Sequence, residues 1–274
     1  MKKLILVMLA LGTAPFLQAE TFKSRIFAVE DNIVKFENGR VAFLNSSPVK
    51  LIKNSLIRAE VDDQDSSLIS YDVIQEPNLK NMAVSSVENP TPLPGVRPPF
   101  EATIVPSMEE AMAIFNRSNS NYKRVSECTD RAHVWAHDEF KRSGIKSKKV
   151  FVFFTASYID SIRFKWWFHV APAYSVQTPS GVQDMVMDFR YTDRPMTVKE
   201  FTDQFVYTKR PCKPTLRFSE YDVNPQTENC YLMIDSMHYK MPGELAAQEQ
   251  GRYKSTTPDS EIRAALRNGF NSQP

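Results

Sequence analysis

FKWWFHVAPAYSV, residues 164–176, and VQDMVMDF, residues 182–189, are the two stretches that decide how this chain folds. Successive side chains of a strand point to opposite faces, so each stretch sorts into two rows. In the first, Phe164, Trp166, Phe168 and Val170 make an apolar row; Lys165, Trp167, His169 and Ala171 make the other. In the second, Met185, Met187 and Phe189 are apolar, while Asp184, Val186, Asp188 and Arg190 point away. Thr178-Pro179-Ser180-Gly181 between them is turn chemistry, so the pair reads as an antiparallel hairpin. The register that sets Phe168 opposite Phe189 and Val170 opposite Met187 also sets His169 opposite Asp188, with Cβ atoms ~5 Å apart. A slip of one residue would destroy both matches. Pro172 has no N–H to give the ladder and is where a bulge would shift that register.

The flanking sequence supplies a helical layer. Residues 149–155 form a third, buried strand, and residues 128–142 a helix N-capped by Ser126 and ended by Gly144. Ser107 and Glu110 form a capping box feeding a short helix through Phe115. Thr197 and Glu200 open a helix that ends near Val206, and Asp259 or Ser260 opens a last one closed at Gly269. Residues 224–251 carry no decisive pattern. Segregated helices and short strand connections predict an α+β fold, a helix packed on an antiparallel sheet.

Upstream, residues 33–36 and 41–44 flank Asn38-Gly39, a hairpin signal because both types tolerate positive φ. Residues 56–61 and 68–74 are two more strands around an acidic turn of Asp62, Asp63 and Asp65. Several strands in so short a span predict a small all-β unit, closed like a barrel to hide its edges. It has neither Cys nor His. Pro90, Pro92, Pro94, Pro98, Pro99 and Pro106 make residues 88–106 a semi-rigid linker. Lys2, Lys3, the apolar run 4–17 and Ala19 read as an export signal. The expected organisation is a signal peptide at 1–19, a β-domain at 20–87, the linker at 88–106 and a catalytic α+β domain at 107–274. No other stretch approaches the ~18 apolar residues of a membrane span, so the mature protein is expected to be exported, periplasmic or secreted.

Lys+Arg at 34 against Asp+Glu at 32 leaves a net charge of +2, which argues against a nucleic-acid partner. Glycine is scarce at 8 residues and no phosphate-cradling motif occurs, which argues against nucleotide chemistry. The three cysteines are Cys128, Cys212 and Cys230. Cys212 and Cys230 lie in a Pro-rich, irregular stretch suited to a disulfide worth ~3 kcal/mol. That leaves Cys128 as a free thiol in an oxidising compartment.

Cys128 is expected at the first turn of its helix, where unpaired N–H groups and the positive end of the macrodipole favour a thiolate. Ala132, Trp135 and Ala136 follow at helical spacing, so Cys128 is expected on the face that looks toward the sheet. A thiolate, an imidazole and a carboxylate that orients it are the parts of an activated nucleophile. Other side chains carry plainer readings. His133 and His137 have the i, i+4 spacing of metal ligands, but no Glu stands between them and no third ligand is evident, so no metal is assigned. Trp166 is expected in the core, and Trp167 lining the cleft as a substrate-binding residue. The run from Lys146 to Lys149 reads as a solvated turn. Asp235 and His238 make a second acid–imidazole pair near Cys230, which the disulfide explains better.

Several blocks resemble the bacterial protein glutaminases, secreted protein-glutamine deamidases with a transglutaminase-like Cys-His-Asp triad. They are Cys128-Thr129-Asp130-Arg131-Ala132-His133, Lys149-Val150-Phe151-Val152, Trp166 to His169-Val170-Ala171, and Val186-Met187-Asp188. The resemblance covers about residues 120–205. It implies Cys128 as nucleophile, His169 as base and Asp188 as orienter, with no cofactor. The family's Asp is usually followed by Pro; here Phe189 follows.

The expected activity is hydrolysis of glutamine side-chain amides in protein or peptide substrates, through a thioester. The same three groups also serve transglutaminases and cysteine peptidases, so the deamidase reading rests on the resemblance. A non-catalytic cell-surface binding protein is the rival from another class. The resemblance further implies an inhibitory pro-region, a role the N-terminal β-domain would fill; the alternative is a targeting module.

Overall fold

The structure, a computed structural model, describes residues 19–30, 32–45, 51–76, 100–118, 127–163, 165–205, 212–214, 218 and 230–271. The export signal up to residue 18, the linker up to residue 99 and Ser126 lie outside the described residues. Among those described, no helix is long and apolar enough to cross a membrane.

Two sheets are present. The first runs in the order β3 (Val41–Phe43), β2 (Ile33–Phe36), β1 (Ala19–Glu30), β4 (Leu56–Asp62) and β5 (Leu68–Gln75), all antiparallel. β1 pairs with β4 as far as Arg25 and with β2 from Ile26, its register shifting between Ile26 and Ala28. That irregularity bends the strand. Phe43 bridges to Ser67 beside β5, so the sheet curls toward a barrel. Ile26, Phe36, Ile57 and Ala59 fill its interior.

The second sheet has the order β10 (Met196–Thr197), β9 (Gly181–Val186), β8 (Phe168–Thr178), β7 (Lys148–Phe153), β12 (Tyr231–Ser236) and β11 (Lys213–Pro214). It is antiparallel from β10 through β12; β11 joins β12 in parallel, and β6 (Ile104–Val105) joins β8 in parallel. Its helices are α1 (Met108–Arg117), α2 (Cys128–Ser143), α3 (Ala156–Ile162), α4 (Val198–Thr202), α5 (Pro242–Glu249) and α6 (Asp259–Asn271). Their ends follow local chemistry. Ser107 and Thr197 accept from the third helical N–H, and Glu200 completes the capping box at Thr197. Gly144, at φ 75°, ends α2. A disulfide joins Cys212 to Cys230, and Cys128 is a free cysteine.

Several expectations need correction. The β8–β9 ladder is displaced by two residues: Thr178 pairs with Gly181, so Ala173 faces Val186 rather than Asp184. It stops at Val186 because Met187 N–H still donates to Pro172 O, at 3.0 Å, while Pro172 has no N–H to return. Residues 156–162 are helical, since Thr155 caps them through Tyr158 N, and β8 therefore begins at Phe168 rather than near residue 164. Gly269 does not close α6, which runs on to Asn271. Residues 224–251 contain β12 and α5.

The curled sheet rests on the second one. Val41 N–H donates to Lys165 O at 2.8 Å, and Trp167 N–H to Gly39 O at 3.1 Å. Gly39 has φ +93°, and a Cβ there would stand 2.8 Å from Trp166 Cε3, so the approach requires glycine. Ile33, Val41 and Phe43 share one buried core with Phe151, Phe168 and Val170.

Lys149 corrects the solvated-turn expectation most sharply, because it is fully buried. Its Nζ donates to Tyr239 O at 2.7 Å and lies 2.5 Å from His133 Nδ1. His133 Nε2 is 3.1 Å from Glu261 of α6, which pairs with Lys254. Residues 239–261 are thereby tied to α2 and β7. His137 and His238 lie in the same layer with ring centroids 6.0 Å apart. Burial first, then the nearby Lys149 ammonium, pushes each down to about 4, although the His133 carbonyl works the other way at His137. An unfolded chain takes up these two protons near pH 6.5, the folded one only near pH 4. Protons therefore favour unfolding across that window, and the full contribution is present only above pH 6.5. The unfolding free energy from urea titrations should fall steadily from pH 7 to pH 4.5, by about 1–3 kcal/mol in all after discounting for the half-buried His238. A flat profile over that range would refute this account.

Candidate active site

Cys128 opens α2, which packs on β8. Its predecessor Glu127 is the N-cap residue but makes no side-chain cap, so the first-turn N–H groups of the helix are not closed off by a cap. The thiol is nearly buried and hydrogen-bonds the side chain of His169 on β8. His169 Nε2 meets Asp188 Oδ2 at 2.6 Å, which leaves Nδ1 as the nitrogen for the thiol. The sequence-predicted Cys128, His169 and Asp188 thus form one hydrogen-bonded chain.

Asp188 reaches His169 from a turn, not from the cross-strand pair expected. Just past the end of β9, its Oδ1 accepts from Arg190 N at 3.0 Å. Its carbonyl accepts from Tyr191 N and Thr192 N, and Thr192 Oγ1 accepts its N–H at 3.2 Å. Phe189, in the position where the resemblance expected proline, anchors this turn by stacking on Phe115 with centroids 4.2 Å apart. It also meets Trp135 edge-on, so Trp135 faces Phe189 and α6 rather than the floor beneath Cys128.

Tyr191 stands edge-on to the imidazole at 4.8 Å and Phe201 lies tilted at 5.8 Å, which fixes the ring plane. Neither residue was legible in the sequence, since Tyr191 sits in an irregular turn and Phe201 in a short helix. Burial alone would lower the imidazole, but the Asp188 hydrogen bond and the Cys128 contact outweigh it and raise His169 to about 9. Burial likewise opposes ionisation of Asp188; the His169 bond and the Arg131 charge prevail and hold it below the ordinary carboxylate range.

Trp167 does not line an open cleft. It is fully buried under the N-terminal sheet, stacked on Phe27 at 4.6 Å and donating Nε1–H to Phe36 O at 2.9 Å. Trp166, expected in the core, is only half-buried beneath Arg40. Burial raises the carboxyl of the half-buried Glu127, and the Arg40 charge of the N-terminal hairpin works against that. His133 and His137 are turned to the far network, and no group of three metal-ligating side chains gathers among the described residues.

Residues 109–205, which contain all three linked side chains, match the family model described as glutaminase. The likeness of that segment is to the protein-glutaminase family. The fold agrees: the chain is similar to the crystal structure of the A47Q2 mutant of pro-protein-glutaminase, at 13% identity and a TM-score of 0.52 over 93% of this chain and 95% of that one. It is also similar to the crystal structure of pro-protein-glutaminase, at 14% identity and TM-score 0.49 over 81% and 84% of the two chains. The NMR structure of protein-glutaminase from Chryseobacterium proteolyticum gives 14% identity and TM-score 0.39 over 60% and 86%. No curated protein matches the chain.

Proposed function

We propose that this chain is an exported protein-glutamine deamidase held silent by its N-terminal β unit. The observation that carries the reading is the Cys128–His169–Asp188 chain inside the segment of glutaminase likeness. The thiolate of Cys128 attacks the carboxamide carbon of a glutamine side chain. The oxyanion is received by the Cys128 N–H at the start of α2. The His169 imidazolium gives its proton to the amide nitrogen, the C–N bond breaks and ammonia leaves, with the acyl group held as a thioester. Neutral His169 then takes a proton from water; the hydroxide adds to the thioester, the C–S bond breaks, and glutamate and thiolate remain. Asp188 keeps the imidazole oriented and stabilises its charged form.

Silencing is supported by the way the curled sheet covers this region. Main-chain bonds from Gly39 and Val41 hold residues 165–167, and Phe27 covers Trp167. Departure of the unit would uncover the Trp167 indole, which then serves as an apolar wall for substrate. A tether keeps even weak docking occupied until it is cut.

The test compares the full exported chain before and after limited proteolysis in residues 88–106. Ammonia release from a small glutaminyl peptide should rise at least about tenfold on cutting, in line with loss of a tethered inhibitor. Equal turnover before and after would reject autoinhibition, and no ammonia from either form, with casein as well as peptide, would reject the deamidase. Incorporation of an added amine in place of hydrolysis would move the assignment to a transglutaminase.

A further inference from the structure

Residues 239–261 carry a chain of charges that the proposed mechanism leaves unused. They grip α2 through Asp130 and His133, three residues apart on one helix face. Lys240 Nζ lies 2.5 Å from Asp130 Oδ1. The main chain at Lys240 is set by Glu244 of α5, which accepts the N–H groups of Lys240 and Met241 and pairs with Lys254. Lys254 in turn pairs with Glu261, the partner of His133. Asp130 is 2% exposed, so its charge sits away from water and the Lys240 ammonium balances it. Asp130 is also the acidic residue of the first turn of α2, two positions after Cys128. Cα atoms that far apart on a helix are separated by about 5.5 Å. An unbalanced carboxylate at that range works against a thiolate and against the positive helix end that favours it. Glu127, just before the thiol, registers the pair: burial raises its carboxyl most, Asp130 raises it further and Lys240 lowers it. The other charged or titratable groups around Cys128 are His169 on β8, Asp188 and Tyr191 in the turn after β9, and Arg131 next along the helix. Arg40 and Glu20 of the first sheet act on Glu127.

We propose that Lys240 is a positioning residue of this site, acting through Asp130: its ammonium holds and neutralises the buried carboxylate in the first turn of α2, so that this turn presents a positive end to Cys128. The catalytic meaning rests on the function proposed above; the charge coupling does not. Without the ammonium, the Asp130 charge stands uncompensated beside the thiol, and the thiolate forms only at higher pH. Acid inactivation therefore begins earlier.

Lys240→Met, Lys240→Arg and the double variant Lys240→Met, Asp130→Asn test this in the full chain, with two pH profiles from pH 4 to pH 9. One is ammonia release from a small glutaminyl peptide after linker cleavage; the other is alkylation of Cys128 by iodoacetamide. Lys240→Met should move the acid limb of both up by about one pH unit, with KM little changed. Lys240→Arg should keep the wild-type limb, and the double variant should return to it, because the offending charge is gone. A purely structural strap would not give that rescue. A folded Lys240→Met protein with the wild-type acid limb overturns the proposal, and so does a double variant whose limb stays displaced. If the alkylation limbs move as expected but no form releases ammonia, the deamidase reading falls and the coupling stands. Thermal unfolding covers a poorly folding variant: Lys240→Met should lower Tm less in an Asp130→Asn background than in wild type. Additive losses overturn the coupling.

Discussion

Cys128→Ala is expected to abolish ammonia release from glutaminyl peptides, by at least about 1,000-fold, while the chain stays folded. In the proposed mechanism the thiol forms the covalent bond, and no other free cysteine stands among the described residues to replace it. The structural cost should be small. The position is nearly buried beside Ala132, and exchanging a thiol for a hydrogen leaves a void of about one heavy atom, worth about 1 kcal/mol. His169 keeps its 2.6 Å partner Asp188, so the ring stays in place. Iodoacetamide should label the wild-type chain at Cys128 alone, because Cys212 and Cys230 are joined, and should label the variant nowhere. Circular dichroism and Tm check the fold; ammonia release that survives in the variant would remove Cys128 from the mechanism.

Asp188→Asn should cost about 10,000-fold in kcat with the geometry nearly unchanged. Arg190 N–H donates to Oδ1, so an asparagine at this position places its oxygen there and turns its NH2 toward His169. Nε2 must then accept, and the ring proton moves to Nδ1, the nitrogen that faces the thiol. In that tautomer the imidazole has no lone pair for the thiol proton. The pH dependence follows in sign. His169 is raised to about 9 against its own burial, chiefly through Asp188, so the wild-type imidazolium survives to that pH. The stability this group contributes is present in full below pH 6.5 and is lost as the pH rises through about 9. Without the carboxylate, burial prevails, so the residual activity of Asp188→Asn should fall away at lower pH than in wild type. An unchanged alkaline limb would show that some other group sets it.

Acid and alkali thus act on two different layers of the same helix. Below pH 6.5 the layer that docks residues 239–261 behind α2 weakens, through His137 and His238. Near pH 9 the His169 imidazolium loses its proton. Ellipticity at acid pH and turnover at alkaline pH separate the two effects.

The features legible in the amino-acid order alone were local. Gly144 as a terminator and the caps at Ser107 and Thr197 depend on φ preference and hydrogen bonds within a few residues, and each has its counterpart in the structure. The placement of Cys128 at a helix start and the pairing of Cys212 with Cys230 were legible for the same reason: spacing within one segment constrains them. The β8–β9 register was not, because a shift of two residues leaves every side chain on the same face, so the hydrophobic pattern does not distinguish the two pairings. The turn length and the missing N–H of Pro172 chose between them, and a turn rather than a ladder then delivered Asp188 to His169. Which of Trp166 and Trp167 is buried depended on a sheet more than a hundred residues upstream. The fate of Lys149 likewise depended on Tyr239 and His133, far from it along the chain. Burial of a side chain is fixed by whichever distant segment covers it, and that information exists only once the chain has closed on itself.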